Sequence, residues 1–147
     1  MSTENDMRKA SDKFYAALNR TLNGDARPMV DVRAQNSDVS TMHPIGGRQV
    51  GWDEVRSSWE NVARICSNGQ VKVSDQRICV GGDFSYEVGT EHVDVLIAGN
   101  EVQADFRVTN IYRHEGSEWR RVHHHTGLNV TMLEILSKLE ISQQKCK

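Results

Sequence analysis

From residue 70 to residue 126 apolar and polar side chains alternate, and only short turn sequences interrupt the alternation. Gly81-Gly82-Asp83, Gly99-Asn100 and Glu115-Gly116 divide the stretch into runs over 70–80, 83–97, 101–113 and 118–126. Period two is the pattern of a strand with one buried face. Turns this short join antiparallel neighbours, so the sequence predicts a meander of four strands.

The last two runs carry the most chemistry. Val102, Ala104, Phe106, Val108 and Tyr112 alternate with Gln103, Asp105, Arg107, Thr109 and Arg113. Asn110 falls on the apolar face, where an amide left without partners costs about 1–3 kcal/mol. His114-Glu115-Gly116-Ser117 supplies the turn. The next run sets Trp119, Arg121, His123 and His125 on one face and Arg120, Val122, His124 and Thr126 on the other. His124 is thereby split from its two neighbours and shares an expected inner wall with Asn110.

Helical spacing brackets the meander. Met7, Ala10, Phe14, Ala17, Leu18 and Thr21 predict a helix over 4–22, capped by Ser2, Thr3 or Asn5 and stopped at Asn23-Gly24. Asp25 reads as the N-cap of a short second helix with Pro28 in its first turn and Met29, Val30 and Val32 on its apolar face. A short strand over 38–43 ends at Pro44, and Gly46-Gly47 makes a turn or tight hairpin. Trp52, Val55, Trp59, Val62, Ala63 and Cys66 define a third helix that Asn68-Gly69 is expected to end. Met132, Ile135, Leu136 and Leu139 mark a last helix over 130–141. Helices segregated to one side of an antiparallel sheet make an α+β domain. A curved sheet roofed by helices leaves a concave apolar funnel, the usual home of a small ligand.

The chain is read as one domain over 1–147, with 128–147 as a C-terminal helical extension. Its net charge of −2 is interspersed, with no basic stripe for nucleic acid and no polybasic segment for a membrane. No run of about 18 apolar residues predicts a membrane helix, and the polar, acidic N-terminus resembles no signal peptide. Cys66, Cys79 and Cys146 match neither a disulfide framework nor a zinc spacing. A reduced, cytoplasmic protein is the expectation.

Three pieces of sequence resemble the NTF2-like superfamily, and within it the SnoaL-like ketosteroid isomerase homologues. They are Phe14-Tyr15-Ala16-Ala17-Leu18-Asn19 before Asn23-Gly24-Asp25, Asp38-Val39-Ser40-Thr41-Met42-His43-Pro44 before a helix bearing Trp59, and Thr109-Asn110-Ile111-Tyr112-Arg113 with Trp119 to His125. The resemblance implies a cone-shaped α+β barrel with three N-terminal helices, and a homodimer through the outer sheet face. It also implies departures from the isomerase. His43 stands where the isomerase has its Asp base, Phe14 where it has a tyrosine donor, and Thr109 or Asn110 where it has an acidic donor. The related kinase hub domain carries arginines at positions matching Asn110 and Thr126, which this chain lacks.

Each candidate residue has a bland reading beside the functional one. His43 is a candidate general base, or a strand-end histidine bonded to a carbonyl. Asn110 and His124 are candidate donors to a developing oxyanion, or two buried polar groups that satisfy each other. Thr126 offers a hydroxyl to a ligand. Tyr15 and Trp59 line a pocket or fill a core. Arg107 is expected outside unless a bulge turns it inward. His123 and His125, with Trp119 and Arg121, read as the outer face; the rival reading, a His-x-His metal site, lacks the downstream Glu. No metal and no cofactor are expected.

Two functions fit. One is an isomerase, cyclase or dehydratase type of enzyme acting by acid/base proton transfer on a small apolar carbonyl-bearing molecule, with His43, Asn110 and His124 catalytic and Tyr15, Trp59 and Thr126 contacting ligand. The other is a non-catalytic ligand-binding or dimerisation module.

Overall fold

The alternating stretch folds as a meander of long strands. The structure, a computed structural model, describes residues 3–32 and 38–145, with side chains through residue 139. Ser2, Cys146 and Lys147 lie outside the described residues. The elements run α1 (Glu4–Thr21), α2 (Pro28–Asp31), β1 (Ser40–Met42), β2 (Gln49–Val50), α3 (Trp52–Ile65), β3 (Cys66–Val80), β4 (Phe84–Ile97), β5 (Asn100–Glu115), β6 (Glu118–Thr126) and α4 (Val130–Lys145). One six-stranded curved sheet has the order β2-β1-β6-β5-β4-β3. β1 lies parallel to β6; the other pairs are antiparallel. Ala98 and Gly99, both at positive φ, make the tight β4–β5 turn.

Helices α1 and α3 press their apolar faces on one side of this sheet. Phe14, Leu18, Val55 and Trp59 meet Val95, Val102 and Phe106 in one core cluster. Thr3 caps α1 by accepting from the Asp6 N–H while the Asp6 side chain accepts from Thr3, a reciprocal capping box. α4 is anchored where Asn129 N–H donates to the Pro44 carbonyl and the Asn129 side chain accepts from Met132 N–H.

Three local expectations are corrected. The second helix is a single turn whose N-cap is Arg27; Asp25 instead accepts from the Arg27 N–H and pairs with Arg20 and Arg27. Asn68-Gly69 does not end α3, because β3 begins directly at Cys66 and the pair forms a register break inside the strand. A Cβ on Gly69 would stand 2.3 Å from Leu22 Cβ, so this glycine permits contact between β3 and the end of α1. The Asn23 side chain bonds both the N–H and the carbonyl of Gly69.

The third correction matters for function. Opposite Ile111 and Tyr112, β6 carries an extra residue: Ile111 pairs with His123, but Tyr112 pairs with Arg121. This bulge at Val122 reverses the alternation. Trp119 and Arg121 therefore turn inward, 6% and 2% exposed, and leave the outer face to His123 and His125.

Candidate active site

The parallel pairing of β1 on β6 sets Thr41 opposite His124. It brings His43, one residue beyond β1, to a ring-centroid separation of 6.4 Å from His124. Trp59, on the buried face of α3, lies 4.6 Å from His43 and 5.6 Å from His124. Phe14 closes on His124 from α1 at 5.2 Å. Beside these rings is a cavity of about 90 Å³, walled by Leu18, Val62, Val95, Phe106, Met132 and Leu136 among others. A water molecule needs roughly 10–15 Å³ of such space, so the cavity is of a size for a small organic molecule. Its polar lining comes from His43, Glu91, His124 and Thr126.

Behind this wall runs a continuous hydrogen-bond network. Asn110, fully buried, donates from Nδ2 to Glu87 Oε1 and to the Tyr15 hydroxyl, both at 3.0 Å. Tyr15 donates to Glu91 Oε2 at 2.8 Å. Asn110 Oδ1 lies 2.6 Å from His124 Nδ1. Glu87 also accepts from Tyr112 and Gln76. The Arg121 guanidinium completes the cluster, 4.1 Å above the Phe14 ring and 5.3 Å from Trp59.

Burial sets the protonation of these groups. Glu91, at 2% exposure, is pushed up to about 7, chiefly by loss of hydration; the Tyr15 hydrogen bond and the Arg121 charge oppose the rise. Burial and the Arg121 charge hold His124 well below the usual imidazole range, so the ring is neutral. Burial and the nearby carboxylates raise the Tyr15 hydroxyl, which keeps its proton. Arg121 is lowered to about 10 by burial and remains charged at neutral pH.

Four of the six candidate residues, His43, Trp59, His124 and Thr126, line the cavity. Asn110 and Tyr15 stand behind it, tied to His124 and Glu91. Both amide hydrogens of Asn110 are committed to Tyr15 and Glu87, so neither reaches a ligand. His43 Nε2 lies 3.0 Å from Ser58 Oγ, whose own proton goes to the Val55 carbonyl. Nε2 is thus the protonated nitrogen. Sequence reasoning missed Glu91, Glu87 and Arg121. A signal existed for the carboxylates: Glu87 and Glu91 share strand parity with Val93, Val95 and Ile97. Among the described residues, no three His, Cys, Asp or Glu side chains gather as a metal set, and no helix is long and apolar enough to cross a membrane.

A curved antiparallel sheet roofed by helices around an apolar cavity defines the NTF2-like class. Within it, the chain belongs to the SnoaL-like domain family, which matches residues 7–130. No curated protein matches the chain. Solved structures do. A Streptomyces avermitilis protein, provisionally named a dehydratase of the NTF2-like family, is 23% identical, with 86% of this chain and 95% of that chain covered and a TM-score of 0.73. An NTF2-like superfamily protein from Salmonella enterica serovar Typhimurium is 16% identical, with coverages of 86% and 92% and a TM-score of 0.74. A protein with a cystatin-like fold from Caulobacter vibrioides is 14% identical, with coverages of 92% and 96% and a TM-score of 0.71.

Proposed function

We propose that the cavity performs acid/base proton transfer on a small, mostly apolar, carbonyl-bearing molecule. The observation that supports this most is Glu91: a buried carboxyl on an apolar cavity, pushed up to about 7. A group with its pKa near the working pH is the effective proton donor and acceptor. Tyr15 occupies Oε2, so protonated Glu91 presents its proton from Oε1. In this reading that proton goes to the carbonyl oxygen as the His43 imidazole takes a proton from the adjacent carbon. The product is an enol. Where the molecule has a carbon–carbon double bond next to that carbon, the enol is conjugated. His43 then delivers the proton to the far end of the double bond as Glu91 takes back the hydroxyl proton, which completes an isomerisation without a cofactor. Asn110 acts from behind, by orienting His124 and Tyr15. Pairing of two copies through the outer face bearing His123 and His125 belongs to the same reading; light scattering on the purified chain tests it.

The chemistry is tested by following deuterium uptake at the α-carbons of cyclohexanone in D₂O by proton NMR. Wild-type protein is expected to accelerate exchange over buffer, and Glu91→Gln and His43→Phe to abolish the acceleration. Exchange at the buffer rate, with cyclohexanone bound, overturns the enzyme reading and leaves the ligand-binding module.

A further inference from the structure

Among the described residues, three polar atoms on cavity-lining side chains have no hydrogen-bond partner. Trp59 Nε1 is one, and it is sealed from solvent. The other two are His124 Nε2 and Glu91 Oε1, on residues 2% exposed that line the cavity. What each atom offers a ligand depends on where the protons lie, and the network fixes that. Glu87 accepts three hydrogen bonds, from Tyr112, Gln76 and Asn110. The nitrogen of the Asn110 amide must therefore face Glu87, because its oxygen there would oppose a carboxylate. Its other hydrogen goes to the Tyr15 hydroxyl, whose own proton is committed to Glu91. Asn110 Oδ1 is left facing His124 Nδ1 at 2.6 Å, and a carbonyl oxygen only accepts. His124 therefore carries its hydrogen on Nδ1 and turns a bare Nε2 lone pair to the cavity.

We propose that the ligand is a hydroxy-carbonyl compound whose hydroxyl donates to His124 Nε2, with Asn110 as the positioning residue that enforces this preference. The assignment of the carbonyl end rests on the reading of Glu91 above; the hydroxyl end rests on the tautomer alone. A ligand carbonyl placed against Nε2 opposes two acceptors and leaves both unpaired, whereas a hydroxyl satisfies the ring. Thr126 adds to the same bias. Its hydroxyl donates to the Met42 carbonyl, so toward the cavity it offers acceptor lone pairs.

Nitrogen NMR on protein labelled with ¹⁵N-histidine, at neutral pH, reads the tautomer without any ligand. The expected signature for His124 is a protonated Nδ1 and an unprotonated Nε2; a protonated Nε2 overturns the proposal. The ligand class is read by comparing cyclohexanone with 3-hydroxycyclohexanone by calorimetry. The added hydroxyl is expected to tighten binding at least fivefold in wild type and to gain less than twofold in His124→Phe. A wild-type protein that binds both ketones equally, or a gain that survives in His124→Phe, overturns it. Neither measurement involves turnover. A chain that passes both and exchanges no α-protons refutes the proton-transfer reading and leaves the hydroxyl preference standing.

Discussion

The guanidinium of Arg121 lies 4.1 Å above the ring of Phe14, with both residues shut away from solvent. Among the described residues, Nη1 has no hydrogen-bond partner and Nη2 reaches only the Met29 sulfur at 3.8 Å. This cation is held by the aromatic faces of Phe14 and Trp59 and by the field of Glu87 and Glu91. Removing one member of a buried charge cluster strands the others and costs about 3–5 kcal/mol. Arg121→Met is expected to lose stability of that order at pH 8 in urea denaturation. The loss should be smaller at pH 5.5, where Glu91 takes a proton and one stranded charge disappears. Adding Glu91→Gln to Arg121→Met should recover part of the deficit at pH 8. An equal loss at both pH values would show that Arg121 acts by packing alone.

Glu91 makes its own prediction about pH. Its folded value of about 7 lies above the ordinary glutamate value of 4.5. Between those values the unfolded chain has released a proton that the folded chain still holds. The contribution of Glu91 is thus fully present below 4.5, falls as pH rises, and is lost above 7. A shift of that size corresponds to about 3 kcal/mol. Glu91→Gln keeps an acceptor for Tyr15 and removes the titration. Its stability advantage over wild type should be small at pH 5, grow up to pH 7 and level off beyond it. Chemical denaturation across that range checks the sign; a gap that widens toward acid pH refutes it.

The framework of the fold was legible because it is written in local periodicity. The four long runs of the meander and the amphipathic spacing of α1 and α3 survive in the structure with shifts at their ends. What escaped depends on contacts that spacing does not encode. Trp119 and Arg121 were assigned outward by counting twos, and a single extra residue at Val122 reverses the count. Glu91 sat on the apolar parity of β4, but a carboxylate is by default assigned to water. Only its partners, Tyr15 and Arg121, make burial tolerable. His124 and Asn110 were expected on one face of the sheet and are cross-strand partners there, since no bulge separates them from the open end of the hairpin. Only His124 of the two lines the cavity. The commitment of both Asn110 amide hydrogens could not be read without knowing that Tyr15 and Glu87 lie within reach.

Gly69 tests the account of the α1–β3 junction. Its φ is not positive, so the constraint is space and not backbone freedom. An added methyl collides with Leu22 Cβ at 2.3 Å and the Leu22 carbonyl oxygen at 2.7 Å. Overpacking of this kind costs about 1–3 kcal/mol. Gly69→Ala should fall at the upper end, because the second obstacle is backbone. Gly99→Asn, with open space around its Cβ and a turn φ that asparagine tolerates, should cost less. Equal melting temperatures for wild type and Gly69→Ala would mean that the strand does not approach Leu22 this closely.

The outer face offers a constellation that resembles a catalytic triad. Ser74 Oγ lies 2.6 Å from His92 Nε2, and His92 Nδ1 lies 2.6 Å from Asp105 Oδ1. The order is that of nucleophile, base and orienting carboxylate. Its surroundings differ from an active site, since the His92 and Asp105 side chains are 45% and 69% exposed. Water competes for every one of these bonds, and an ion pair so placed is worth about 0–1 kcal/mol. Nucleophilic catalysis also needs donors aimed at the oxyanion in a site that excludes water, and a solvated β-sheet face supplies no such enclosure. Ser74→Ala is therefore expected to leave hydrolysis of p-nitrophenyl acetate unchanged, and a fluorophosphonate probe should not label Ser74. A Ser74-dependent rate, or phosphonylation at that residue, would place a hydrolase on the face opposite the cavity and require a second activity for this chain.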